Sequence, residues 1–217
     1  MKKEKLNIVY EDKELIVVDK PAKMLTIATL REKEKTLYHQ VFEYLKQKHK
    51  SNKVFIVHRL DRDTSGLVLF AKTEKMKKKL QDNWNEIAIL RNYIAVLEGK
   101  VKEKSKTIES YIAENKAFIS YSSNAKYGKL AITQYELISE SKKYSLVNIK
   151  IKTGRKNQIR VHMSEMGNPI VGDKKYNAKT NPLNRLCLHA NKLIIKHPIN
   201  GKIMEFESKF NFSIDNL

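Results

Sequence analysis

The residues best equipped for chemistry gather in one stretch, His58-Arg59-Leu60-Asp61-Arg62-Asp63-Thr64-Ser65-Gly66, where two carboxylates, two guanidinium groups and an imidazole share a turn. Apolar runs flank it, Val54–Val57 before and Gly66–Ala71 after, and both read as short buried strands. Charge at the mouth of a sheet is costly to desolvate unless it is paired or used. An aspartate beside arginines stays ionised, so Asp61 would serve as a nucleophile or electrostatic stabiliser rather than a proton donor. From the residues alone, an ion pair that tethers the turn is the more ordinary role for such an aspartate. Asp61 and Asp63 could hold Mg²⁺ through water, but Arg59 and Arg62 already supply the countercharge, so no metal is expected.

The elements that must position this turn follow from periodicity. Leu6–Tyr10 and Leu15–Asp19 form a hairpin, which Lys20-Pro21 ends, and residues 22–35 make a basic surface loop. Thr36 opens an amphipathic helix with Leu37, Val41, Tyr44 and Leu45 on one face, running to Lys48. Thr73 caps a second helix, whose Met76, Leu80 and Trp84 form a core stripe. Strands are expected at Asn92–Glu98, Thr107–Ala113, Ala131–Ile138 and Tyr144–Ile151, with a polar connector at 124–129. A glycine turn at Gly154 then leads into a short helix through Met163, stopped by Gly167. Leu186–Ile195 and Lys202–Glu207 close the chain as a hairpin turned at Asn200-Gly201. Strands outnumber helices and adjacent runs pair, which predicts an α+β fold with a mixed or antiparallel sheet.

Bulk properties narrow the partner. The 217 residues carry 43 Lys and Arg against 24 Asp and Glu, a net charge of +19 that fits a polyanion such as nucleic acid. A lysine-rich proteome would give the same composition, but the lysines are dispersed as on a folded basic surface rather than gathered in a tail. No run of about 18 apolar residues suggests a membrane span. The start MKKEKLNIVY lacks the apolar region of a signal peptide, so a cytoplasmic protein is expected. The single Cys187 excludes an internal disulfide and a cysteine-rich metal site. Phosphate-cradling and dinucleotide glycine loops are absent, as is a His-Glu-x-x-His site, and His39, His49, His189 and His197 are scattered.

Taken together, HRLDRDTSGL resembles the signature of the RluA-type pseudouridine synthases, which isomerise uridine to pseudouridine in RNA. Further motifs of that family follow in order. They are Val17-Val18-Asp19-Lys20-Pro21-Ala22, Asn92-Tyr93-Ile94-Ala95-Val96, Thr153-Gly154-Arg155 through Gln158-Ile159-Arg160-Val161-His162, Pro169-Ile170-Val171-Gly172-Asp173, and Leu188-His189-Ala190. The resemblance covers nearly the whole chain. It implies a single catalytic domain over 1–217, with a mixed, mostly antiparallel sheet bent around a central cleft. It implies Asp61 as the nucleophile that attacks the ribose, Tyr93 as the residue that stacks on the uracil, and Arg160 as the arginine that pairs with the aspartate. Arg59 matches the arginine that fills the gap left by a flipped nucleotide, since a base inside a stem cannot be reached without extrusion. Arg155 and His162 are assigned support or RNA-backbone contact.

RNA, ribosomal or transfer, is the expected partner. No cofactor is implied, and a monomer is the default expectation. Two departures stand out: Lys23 where the family usually has glycine, and Lys156-Asn157 where it usually has Thr-His before the glutamine. The small N-terminal RNA-binding domain of many relatives is not seen, which leaves target selection to the basic surface. The rivals are a catalytically silent RNA-binding protein on the same fold and a base-excising glycosidase.

Overall fold

In the computed structural model, residues 6–30 and 32–214 are described; the charged start Met1–Lys5 and Arg31 of the 22–35 loop lie outside them. The chain packs as two compact units: the first takes the chain up to Ile89 together with Ala190–Lys209, and the second takes Leu90–His189 and the residues from Phe210.

In the first unit, β1 (Ile8–Glu11) and β2 (Leu15–Lys20) form the expected hairpin, whose turn Asp12 holds by accepting from the amides of Glu14 and Leu15, each at 2.7 Å. Helix α1 (Leu37–Lys48) starts where Thr36 accepts a hydrogen bond from His39 N at 3.2 Å, and it buries Leu37, Val41 and Leu45. The run expected as a buried strand at Val54–Val57 is shorter: β3 covers only Phe55–Ile56, both half-buried. β4 (Ser65–Ala71) is buried at every position and pairs with β2 from Lys20 opposite Gly66 to Leu15 opposite Ala71. Helix α2 (Glu74–Asp82) is capped by Thr73, and its Met76 and Leu80 pack against Leu15, Val17, Leu67 and Leu69. Trp84 does not continue that helix. Asn83 leaves the helical region, and Trp84 opens a separate turn, α3 (Trp84–Ile87).

The second unit begins within β5 (Ala88–Glu98), which starts four residues earlier than Asn92. It continues through β6 (Ser105–Glu114), β7 (Ser120–Ser123), β8 (Lys129–Glu140), β9 (Tyr144–Ile151) and helix α4 (Gln158–Glu165). These strands lie in the order β5-β9-β8-β6-β7, every ladder antiparallel. β7 has no counterpart in the periodicity because Ser-Tyr-Ser-Ser carries no apolar alternation. β10 (Leu188–Lys196) returns the chain to the first unit. There the order is β1-β2-β4-β10, with β11 (Ile203–Glu207) hairpinned to β10. Gly66, at φ +117°, lets β4 and β10 approach: a Cβ there would lie 2.3 Å from the carbonyl oxygen of Ala190. The α+β expectation with a mostly antiparallel sheet therefore stands. No helix among the described residues is long and apolar enough to cross a membrane.

Candidate active site

The loop from His58 to Thr64 leaves β3 and enters the first buried residues of β4, so the sheet fixes both its ends. Its backbone is held from behind. Lys20 is fully buried (0% exposed), and its ammonium donates to the carbonyls of Pro21 (3.0 Å), Met24 (2.8 Å) and Arg62 (3.0 Å). The Thr26 hydroxyl donates to Leu60 O at 2.8 Å and lies 3.2 Å from Leu60 N, with Leu60 itself buried. His58 accepts from Leu69 N through Nε2 at 3.1 Å and stacks on Trp84 at a centroid distance of 4.9 Å. So the even-numbered residues 58 and 60 anchor the loop, and Arg59 is exposed while Asp61 is half-exposed. Arg59 makes no hydrogen bond or ion pair among the described residues. Lys23, the first departure, sits at φ +64°, a left-handed conformation that glycine adopts without strain.

In the second unit Tyr93 lies on β5 opposite Ile149 of β9 and packs, partly buried, against the unit's core. Arg91, two residues earlier and so on the same strand face, donates to the carbonyl of Lys152. Burial, with the like charge of Arg155, draws its pKa down. Arg160 projects from α4 and is held bidentately by Asp173, Nε to Oδ2 and Nη2 to Oδ1, both at 2.7 Å. The two side chains are 8% and 1% exposed. Nη1 also donates to Asn157 Oδ1 at 3.1 Å, and the guanidinium lies 4.9 Å from the ring centre of Tyr176. Asp173 is thus a partner of Arg160 that the sequence reading did not assign, although its motif was noted. The second departure has a backbone reason as well: Asn157 precedes α4 at φ +54°, a conformation asparagine tolerates better than most residues.

Arg155 is exposed, donating through Nε to Leu130 O at 2.8 Å and through its amide to Gln158 Oε1 at 3.0 Å. His162 is 1% exposed, with Nε2 2.9 Å from Ser110 Oγ, and burial lowers its pKa. Gln158 ties the turn together: its oxygen accepts from the Thr153 hydroxyl (2.7 Å), and its nitrogen donates to Ile132 O (3.0 Å) and the Thr133 hydroxyl (2.9 Å). The candidate residues therefore divide between one loop of the first unit, with Arg59 and Asp61, and the β5–α4 region of the second, with Tyr93, Arg155, Arg160 and His162.

Known proteins match over the same span. The family described as RNA pseudouridylate synthase matches residues 14–165. An uncharacterized RNA pseudouridine synthase of Bacillus subtilis is 33% identical over 98% of this chain and 71% of its own length. One from Mycoplasma genitalium is 32% identical over 98% of this chain and 70% of its own length. The ribosomal large subunit pseudouridine synthase D of Haemophilus influenzae is 31% identical over 93% and 66%, respectively. Among solved structures, human RNA pseudouridylate synthase domain containing 1 superposes with a TM-score of 0.76 at 26% identity, covering 94% of this chain and 83% of that one.

Proposed function

Because this chain belongs to the RNA pseudouridylate synthase family, isomerases that convert uridine in RNA to pseudouridine, we propose that Asp61 is its nucleophile and that residues 1–217 act as one catalytic domain. The observation that carries this reading is the anchored loop of the first unit, which fixes His58 and Leu60 and leaves Arg59 exposed and Asp61 half-exposed. The Asp61 carboxylate attacks the ribose as the bond to the uracil nitrogen breaks, where the sugar carbon becomes electron-poor. The detached uracil turns and rejoins the same carbon through C5, displacing the Asp61 carboxylate so that the enzyme is released unchanged. The C5 hydrogen leaves as a proton and the released nitrogen takes one up, so the polymer keeps its composition.

Tyr93 stacks on the uracil, and Arg160, oriented by Asp173 and Asn157, holds the Asp61 carboxylate. Arg59, exposed and without a partner among the described residues, fills the space of the extruded nucleotide. Arg155 contacts the RNA backbone. The substrate proposed first is ribosomal RNA, the substrate named for the Haemophilus influenzae relative, with transfer RNA the alternative; the compartment proposed is the cytoplasm. No metal or organic cofactor enters the scheme, and the protein acts as a monomer.

The test is tritium release from RNA labelled at uracil C5, with wild type beside Asp61→Ala. Release by wild type and background release by the variant are expected; equal release would refute the role of Asp61. Free uracil in the supernatant would instead mark base excision.

A further inference from the structure

The turn joining β6 to β7 is built tightly around an exposed ring. Asn115 Oδ1 accepts from Ala117 N (2.9 Å) and Ile119 N (3.0 Å), and its carbonyl accepts from Phe118 N (2.9 Å). This scaffold holds Phe118 at φ +59°, a left-handed conformation unusual for a bulky residue, with 68% of its surface in solvent. An ordered, strained backbone that displays an aromatic ring outward is a reason to look for a ligand. Two ammonium groups lie at this residue, one at its backbone carbonyl and one near its ring. Lys175 Nζ donates to Phe118 O at 3.0 Å and has no carboxylate partner among the described residues. Lys156 Nζ, paired with Glu114 at 2.5 Å, lies 5.4 Å from the ring centre.

The turn is also wired to α4. Ser120, just past it, receives a hydrogen bond from Asn157 Nδ2 at 3.5 Å, and its amide donates to the Tyr176 hydroxyl at 3.3 Å. Asn157 and Tyr176 both touch the Arg160 guanidinium, alongside Asp173. Lys156 and Asn157, together the second departure from the family pattern, thus join this turn to the arginine proposed to position the nucleophile.

We propose that the 115–119 turn is an RNA-docking element in which Phe118 stacks an unpaired base of the substrate and Lys175 contacts an adjoining phosphate. The inference rests on the reading that the substrate is RNA. A ring with flanking cations suits a single-stranded nucleic acid, because every base has a stacking face and every linkage a negative charge. It further places the choice of target partly in a turn whose position is relayed to Arg160.

The test measures binding rather than turnover, so it can fail or succeed whatever the fate of Asp61 as nucleophile. A fluorescein-labelled RNA stem-loop with an unpaired pyrimidine loop, and a fully paired duplex of the same length, are titrated by anisotropy. Phe118→Gly should bind the stem-loop about five-fold or more weakly, bind the duplex as wild type does, and melt at or above the wild-type temperature. A purely structural role cannot yield weaker binding together with equal or higher stability. Phe118→Asn, also tolerant of the left-handed conformation, should do the same. Lys175→Gln should lower the salt dependence of stem-loop binding by about one unit of slope. Wild-type stem-loop affinity in both Phe118 variants, which is also the result if the ring docks a protein, would overturn the proposal.

Discussion

Replacing Asp173 by alanine would strip the Arg160 guanidinium of two hydrogen bonds at 2.7 Å in a place where the side chains are 8% and 1% exposed. Water cannot readily replace a partner that sits so deep. Removing one member of a buried pair typically costs about 3–5 kcal/mol, because the group left behind keeps its desolvation cost and loses these hydrogen bonds. For a chain of this length each kcal/mol moves the melting temperature by about 2–4 °C, so a fall of roughly 6–20 °C is expected. Thermal melts followed by circular dichroism would measure it. The double variant Arg160→Met with Asp173→Leu separates stability from function. It should recover more than half of the lost stability, since apolar groups of similar volume often substitute for a buried pair, yet remain inactive in tritium release. An Asp173→Ala protein melting within about 1 °C of wild type would show that this reasoning about burial is wrong.

Two further perturbations act elsewhere in the fold. Lys23→Gly removes a side chain at φ +64°. The relief of about 1–2 kcal/mol of left-handed strain, less about 0.5–1 kcal/mol for the freer unfolded chain, should leave a net gain of up to about 1.5 kcal/mol by urea denaturation. A loss of stability would refute that account of Lys23. His189 is pushed down to about 3 by burial, aided by the charge of Arg185. As pH falls below the ordinary value of about 6.5, the unfolded chain binds a proton that the folded chain refuses until about 3. Stability from this group is therefore complete above about 6.5 and declines toward 3, by up to about 1.4 kcal/mol per pH unit. His189→Gln should flatten the curve of stability against pH between 6 and 4; parallel curves would contradict the assignment.

How far the sequence could be read depended on the range of the interaction. The caps at Thr36 and Thr73 and the hairpins are local, and they were legible because residue type and spacing alone decide them. Trp84 shows the limit: a 3.6-residue count carries it into the second helix, yet Asn83 breaks the turn and frees the indole to stack on His58. β7 escaped notice because its order comes from pairing with β6, not from its own pattern. The partner of Arg160 was hidden for a different reason. Asp173 lies thirteen residues on, beyond the end of α4, and only tertiary packing turns its carboxylate back to the guanidinium. Motif resemblance supplied candidates, while the residues that brace them, Lys20, Thr26, Asn157 and Asp173, required coordinates.

The buried ammonium of Lys20 also changes what counts as a motif. It belongs by position to the first family-like motif, Val17–Ala22, yet one of its three carbonyl ligands is Arg62, next to the proposed nucleophile. Thr26 makes a second tie across the same gap, to Leu60. The portable part is therefore not the nine-residue peptide His58–Gly66. It is a two-segment joint, 20–26 laced to 58–62, and transplanting either segment alone into another scaffold would deliver the right letters with nothing to hold them in shape.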